Sequence, residues 1–450
     1  MGRVELLEPL LEDGIRNTNF FNGRLLSAED LRTEQDSVRA RLAHTGRAAG
    51  AGVVAGLWVE KVPTSPPASD ATQATVSITS GLAVCRAGHA LTLPADTEVA
   101  LVAAPDEAIP EDAGLFKVCL PPTTSTVVTG AGVYVLAITS ASGFEGKAQA
   151  SGLTDVSAGS CCGARFSVEG VRFKLVQLDV TKNAAIDAAT AARLIGYMKK
   201  GDAASLSLLR NELAYACFGA PAFESFTRDP FARAADEGIE ADDEGALGTL
   251  RSAGGLTDCD VPLALVYWSQ NGIEFVDPWA VRRRVSRFAQ PDRWAEVEDD
   301  TRAAAGEAMM RQFQDQLSAI TKAGASAKQI VAREHFRYLP PVGFVPIAPV
   351  NKGTATLFEY PKFFAGITRR EPVHMEGARV GALVRHASAF AAHDLDSKQM
   401  LWLYFVRQNA KAIADLTETT RFYMIFASGH VPFAGEARFD ISLWNYSNYV

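Results

Sequence analysis

Apolar residues recur at helical spacing in some stretches of this chain and at alternate positions in others, and the two periods divide it into predicted elements. Ser27 with Asp30 three residues on is an N-cap signature, and Leu26 and Leu31 are placed to staple the helix start. Leu31, Val38 and Leu42 then share one face, with Arg, Glu and Gln around the rest. An extended arm, residues 15–24, precedes this helix and interleaves Asn17, Asn19 and Asn22 with Phe20 and Phe21. A glycine-rich bend, 46–56, follows and leads into a strand at 57–62. Its glycines follow a helix and open a strand, whereas a dinucleotide-binding loop follows a strand and opens a helix. The bend is therefore read as tight backbone packing.

Residues 63–72 are rich in Pro, Ser, Ala and Thr and read as a loop. Alternation at 75–79, 91–93, 133–138 and 166–180 predicts strands, and Gly81 and Gly88 punctuate a hairpin. The period then lengthens. A helix is predicted over 185–198, and Asp202 caps another that carries Leu206, Leu209, Leu213 and Cys217 on one side and ends at Gly219. Strands 261–268 and 273–276 flank Asn271-Gly272, a hairpin turn signal. A long helix over 293–322 bears Ala305, Met309, Phe313, Leu317 and Ile320 as one stripe. An extended Pro-rich connector, 338–344, precedes strands at 401–406, 422–427 and 437–444. The last residues, Trp444, Tyr446, Tyr449 and Val450, are apolar for a tail, which suits a terminus tied down in a sheet or against a neighbour.

These elements predict a multi-domain α+β protein. Its expected units are an arm, helix and bend (1–62), a β-rich domain (63–182), a helical segment with an acidic loop (183–258), a hairpin with a long helix (259–330) and a C-terminal β-sandwich (331–450). The length of 450 residues exceeds what one core holds, which agrees with several units. A hydrophobic share of 48% with 21% charged residues fits folded domains. The net charge of -8 argues against a general nucleic-acid binder, which needs a basic surface.

The N-terminal residues include Glu5 and Glu8 and lack the pattern of a signal peptide, so synthesis in the cytoplasm is expected. No apolar run reaches the length of a membrane span.

Candidate chemistry changes the picture little. The six cysteines make no disulfide framework; Cys217 and Cys119 read as core residues, and the Cys161-Cys162 pair lacks the further ligands of a zinc set. The acidic run 236–244 lacks the ligand spacing of a calcium loop and reads as solvated. His374, His386 and His393 cluster in sequence without the spacing of a metal or protease motif, and no nucleophile elbow or phosphate loop is present. No catalytic, metal or cofactor residues are assigned. Arg282, Arg283 and Arg284, with Arg287, can grip a partner's carboxylates, or else pair with Glu296, Glu298, Asp299 and Asp300 behind them.

The run Asn19-Phe20-Phe21-Asn22-Gly23-Arg24-Leu25-Leu26-Ser27-Ala28-Glu29-Asp30-Leu31, with Glu34-Gln35, resembles the opening of proteins encoded with phage-tail-like contractile injection systems. Gly52-Val53-Val54-Ala55-Gly56-Leu57 resembles the strand that follows there, although the bend from His44-Thr45-Gly46 is longer. The hairpin from Gly81 to Gly88 resembles the next element, with Cys85 where an acidic residue is expected. Segments 262–268 and 275–283 are also similar to this group. The resemblance implies a particle component at or near the baseplate, bound to baseplate, sheath or tube proteins and oligomeric in the assembly, with no enzymatic residues to carry over.

On this reading Asn19, Phe20, Phe21, Arg24, Arg282, Arg283, Arg284, Trp444 and Tyr446 are the interface candidates, and the particle is membrane-attached or released by lysis. An alternative is a fibre-like or surface-anchoring protein whose C-terminal β-domain recognises a carbohydrate or envelope component through Trp402, Trp444 and Tyr446. A third reading is a hydrolase built on His374, His386 and His393.

Overall fold

The structure is a computed structural model. It describes residues 14–62, 74–101, 115–116, 131–149, 162–219, 245–287, 300–322, 326–347, 358–375, 377–388, 391–397, 399–407 and 422–428.

Helix α1 (Ala28–Ala49) starts at a complete capping box, with the Ser27 hydroxyl accepting from the Asp30 N–H and the Asp30 carboxylate accepting from the Ser27 N–H. It runs through Gly46 and stops at Gly50, so the expected bend shrinks to two residues before β1 (Gly52–Gly56). Strands β2 (Val59–Lys61), β3 (Thr75–Ile78), β4 (Gly81–Val84), β5 (Ala90–Leu93) and β6 (Thr97–Ala100) follow. They form two three-stranded sheets, ordered β1-β4-β5 and β2-β3-β6. The expected hairpin is β4–β5, with Val84 opposite Ala90.

Next come β7 (Gly132–Gln149), β8 (Cys162–Gln177), α2 (Ala188–Lys200), α3 (Ala203–Phe218), α4 (Ala246–Ser252), β9 (Asp260–Ser269) and β10 (Gly272–Asp277). The strands form one antiparallel sheet in the order β10-β9-β7-β8. In β7, Tyr134, Leu136 and Ile138 enter the core shared with the two small sheets, while Val133, Val135 and Ala137 enter the core under α2, α3 and α4. Burial on both faces explains why 133–138 of β7, expected to alternate, is apolar throughout, as is most of β9.

Strands from 63–182 and 259–330 thus share one sheet, and helices from 183–258 cover one of its faces. The three stretches expected as separate units build a single sheet-centred body. Period-two patterning marks a strand but does not name its partner, and β7 pairs with a strand more than a hundred residues away.

Short α5 (Pro278–Val281) leads towards the long α6 (Asp300–Lys322). Then come α7 (Ala332–His335), β11 (Tyr338–Leu339), β12 (Val342–Ile347), α8 (Tyr360–Phe363), β13 (Val373–His374), α9 (Gly377–Ala387), β14 (His393–Asp394), β15 (Trp402–Arg407) and β16 (Phe422–Ala427). A four-stranded sheet, β12-β16-β15-β13, is the centre of this part, with β11 and β14 paired separately. Val345, Leu403, Met424 and Phe426 face Phe313 and Leu317 of α6 and Phe363 and Phe364. On the other face, Tyr404, Ile425 and Ala427 meet Leu383 and Ala387 of α9.

Among the described residues of 331–450, the sheet is therefore covered by helices where the sequence predicts a sandwich; the expected strand at 437–444 lies outside them. Helix α9 was hidden by Gly377 and Gly381, which lower helix propensity.

Helix α6 belongs to both parts. Ala308 and Met309 lie in the core of the sheet-centred body, and Phe313 and Leu317 in the C-terminal core. Between them runs a buried polar seam. Asp277 caps α5 by accepting from the Ala280 N–H, accepts from Arg210 Nε at 2.6 Å, and accepts from Gln312 Nε2 at 3.1 Å. Gln316 Nε2 donates to the Ser207 carbonyl at 2.8 Å and to the His335 carbonyl at 3.2 Å. Asn211 accepts from the N–H groups of Arg337 and Tyr338, both at 2.8 Å.

Candidate functional site

The arm folds back along α1. Thr18 donates its hydroxyl to the Asp30 carbonyl at 2.7 Å, and its N–H to Glu34 at 3.3 Å. Arg41 donates to the Asn17 side-chain oxygen at 3.1 Å. Arg24 donates to the Asn19 carbonyl at 2.6 Å and pairs with Asp30. Asn19 and Arg24 thus shape the arm from within, while Phe20 and Phe21 stand outside it at 56% and 63% exposure.

Helix α1 is mounted with its apolar stripe outwards. Leu31, Val38 and Leu42 are 53%, 47% and 64% exposed, and Leu25 and Leu26 extend that surface. The helix meets its surroundings closely where its residues are small. Ser37 is buried, and a Cβ on Gly46 would lie 2.1 Å from the Gly88 carbonyl oxygen. Gly88 itself has φ +88°, a backbone region that favours glycine. Arg39 fixes the helix laterally through Glu169 at 2.9 Å. The staple residues Leu26 and Leu31 are both more than half exposed.

The second constellation joins the two regions of sequence resemblance. The backbone of β1 bonds to 283–286, with the Val53 N–H donating to the Arg283 carbonyl at 2.9 Å and the Ala51 N–H to the Ser286 carbonyl at 3.1 Å. Arg282 is buried here. It donates to the Gly56 carbonyl at 2.6 Å and the Leu57 carbonyl at 2.7 Å, and lies 4.0 Å from the centre of the Trp58 ring. These bonds hold Leu57 at φ +56°, a conformation a branched residue rarely adopts and which costs about 1–3 kcal/mol. Burial pushes the Arg282 guanidinium down to about 10.

Arg283 is half-buried, donates to the carbonyls of Trp279, Ala280 and Arg282, and lies over Phe218. Arg284 faces solvent and pairs with Glu307 at 3.2 Å. Trp58 and Trp279 meet edge to face, 5.2 Å between centres, beside a cavity of about 170 Å³ also lined by Val54, Arg284 and Glu307.

The interface candidates therefore divide. Phe20, Phe21 and Arg284 face outwards, Arg282 and Arg283 serve as internal clamps on backbone carbonyls, and Trp444 and Tyr446 lie outside the described residues. The acids at 296–299, weighed as partners for these arginines, also lie outside them.

The seam of Arg210, Asp277, Gln312 and Gln316 went unforeseen. The signals for it were Asp277-Pro278, a cap followed by Pro in the first turn, and Gln312 and Gln316 at i, i+4 beside the apolar stripe.

His374 and His393 lie in different sheets. His374 stacks on Phe405 at 5.3 Å, His393 is buried in β14, and the side chain of His386 lies outside the described residues. Among the described residues no group of three or more His, Cys, Asp and Glu could hold a metal ion. Nor is any helix there long and apolar enough to cross a membrane.

Cys85 and Cys217 are buried free thiols, and burial pushes Cys217 up to about 12, away from any reactive thiolate. Cys259 is disulfide-bonded to a partner whose side chain lies outside the described residues. This bridge was not expected from the cysteine spacing, which alone does not specify pairing. Compared with known proteins, the chain matches no protein-family model and no curated relative.

Proposed function

We propose that the chain is a structural, non-catalytic subunit of a phage-tail-like contractile injection particle, at or attached to the baseplate, and that it docks through its N-terminal arm. The observation that carries this reading is the outward mounting of large apolar residues on the arm, with Phe20, Phe21 and Leu25 in solvent. A contiguous apolar surface of this kind is characteristic of a buried interface. The arm is braced by Arg24, Thr18 and Asn17 on a capped helix, so it is presented in one shape and loses little entropy on docking. The motif resemblance of residues 19–35 and 52–57 supports the kind of assembly.

The test is a pull-down of the tagged full chain from its native cells, read by mass spectrometry and negative-stain electron microscopy. Recovery of sheath, tube and baseplate proteins, lost in a Phe20→Ser/Phe21→Ser variant that still folds, is the expected result. Recovery of the chain alone would overturn the reading.

A further inference from the structure

We infer that the cavity between β1, α5 and α6 receives the C-terminal residue of a partner chain, with its α-carboxylate on Arg282 and its apolar side chain against Trp58 and Trp279. Three features carry this. The first is a buried cation without a counter-charge. Arg282 is only 6% exposed and lines the cavity. Of the five N–H groups of a guanidinium, two go to the Gly56 and Leu57 carbonyls, which bear no full charge. Among the described residues no carboxylate pairs with Arg282, and burial lowers it to about 10 with no acid nearby to raise it again. A buried, uncompensated charge is costly. A carboxylate accepting from the remaining N–H groups supplies the missing charge.

The second feature is the charge around the cavity. Glu307 lies on its wall, but Arg284 at 3.2 Å and Arg311 at 4.0 Å already engage that carboxylate. Three guanidinium groups thus stand against one acid, in a chain whose net charge is -8. This local excess attracts an anion and repels an ammonium. A free amino acid carries both charges, whereas the last residue of a chain brings the carboxylate alone.

The third feature is size and lining. A volume of about 170 Å³ falls below the roughly 300–1,000 Å³ of sites for whole small molecules and suits a single residue. Val54, Ala304 and the two tryptophan rings give it apolar walls, which a side chain covers and a bare inorganic anion leaves wet. Capture of a terminal carboxylate is a recurring mode of peptide recognition. None of these residues belongs to the arm, so this site stands apart from the docking proposed above.

The test is a saturation-transfer NMR titration of the full chain, with circular dichroism as the check on folding. N-acetylleucine stands for the terminal residue and is expected to bind with a Kd of about 1 mM. N-acetylleucinamide, free leucine and inorganic phosphate are each expected to bind at least about tenfold more weakly. V54W, which fills the cavity and leaves Arg282 in place, is expected to abolish binding. E307Q is expected to strengthen it about threefold, and R284Q to weaken it by about as much. No binding of N-acetylleucine to the wild-type chain, binding that survives V54W or weakens in E307Q, or the amide or phosphate bound as tightly as N-acetylleucine would overturn the inference. So would binding that appears only in E296Q/E298Q/D299N, because the chain's own acids would then hold the site.

Discussion

Arg210 and Asp277, from α3 and the end of β10, meet at 2.6 Å with the carboxylate fully buried. Arg210 also reaches the half-exposed Asp315 of α6 at 2.6 Å. One guanidinium thereby ties the helical layer to the sheet and to the long helix. The pair is costly to desolvate, but the carboxylate accepts from Arg210, Gln312 and the Ala280 N–H, so its lone pairs are used. Removing one partner strands the other. R210M is expected to lower unfolding free energy by about 3–5 kcal/mol, and R210M/D277N by less than the sum of the single changes. Urea denaturation of the three variants measures the coupling.

The approach of α1 to the β4–β5 turn depends on a missing side chain. With Gly88 O only 2.1 Å from a Cβ at Gly46, G46A forces the end of α1 off the body even though alanine favours the helix itself. Hydrogen exchange is expected to rise at residues 43–50 and 86–89 and to stay unchanged in the C-terminal sheet. Protection unaltered at both places would show that the helix end is held some other way.

Stability is expected to fall in two stages as the medium is acidified. Burial holds His89, His335 and His393 below the ordinary histidine value, so the unfolded chain takes up their protons first as pH drops through about 6.5. The fold then loses stability on the acid side of that value. Asp30 is held low by the Ser27 N–H, Asp187 by the Thr190 hydroxyl and Asp202 by the Ser205 N–H. These helix caps contribute fully above about pH 4 and are lost as pH falls through their lowered folded values. A Tm profile should show both limbs, and His393→Asn should flatten the upper one.

The bridge at Cys259 makes a countable prediction. Of the six cysteines, two are consumed by it, so a denatured, unreduced sample should titrate no more than four thiols, and a reduced one six. Six thiols without reductant would show that the bridge does not form.

Much of the architecture was legible in local chemistry. Ser27 with Asp30, Asp202 with Gly219 and the turn after Ser269 each mark a boundary by a hydrogen bond or a backbone preference that needs only near neighbours. What stayed hidden depends on distant partners. Nothing in β7 names β9, and nothing in α3 reveals that Arg210, Asn211 and Glu212 are buried rather than solvated.

Helix α1 is the sharpest difference. Its periodicity identifies the helix and the apolar side correctly, but the usual rule places that side inwards. Gly46 and Gly88 build a closer fit at the end of the helix, which only the folded chain displays. Arg282 and Arg283 likewise look like a surface cluster in sequence, until the fold brings the Gly56 and Leu57 carbonyls to Arg282 and the Trp279 and Ala280 carbonyls to Arg283.

Helix α6 has a mechanical consequence. Its middle turns are gripped on one side by Asp277 and Ser207 and on the other by the phenylalanine core around Phe426, within the same few residues. No slack segment separates the two grips along the helix. A displacement of the C-terminal sheet is therefore passed directly across the helix to Asp277 at the end of β10.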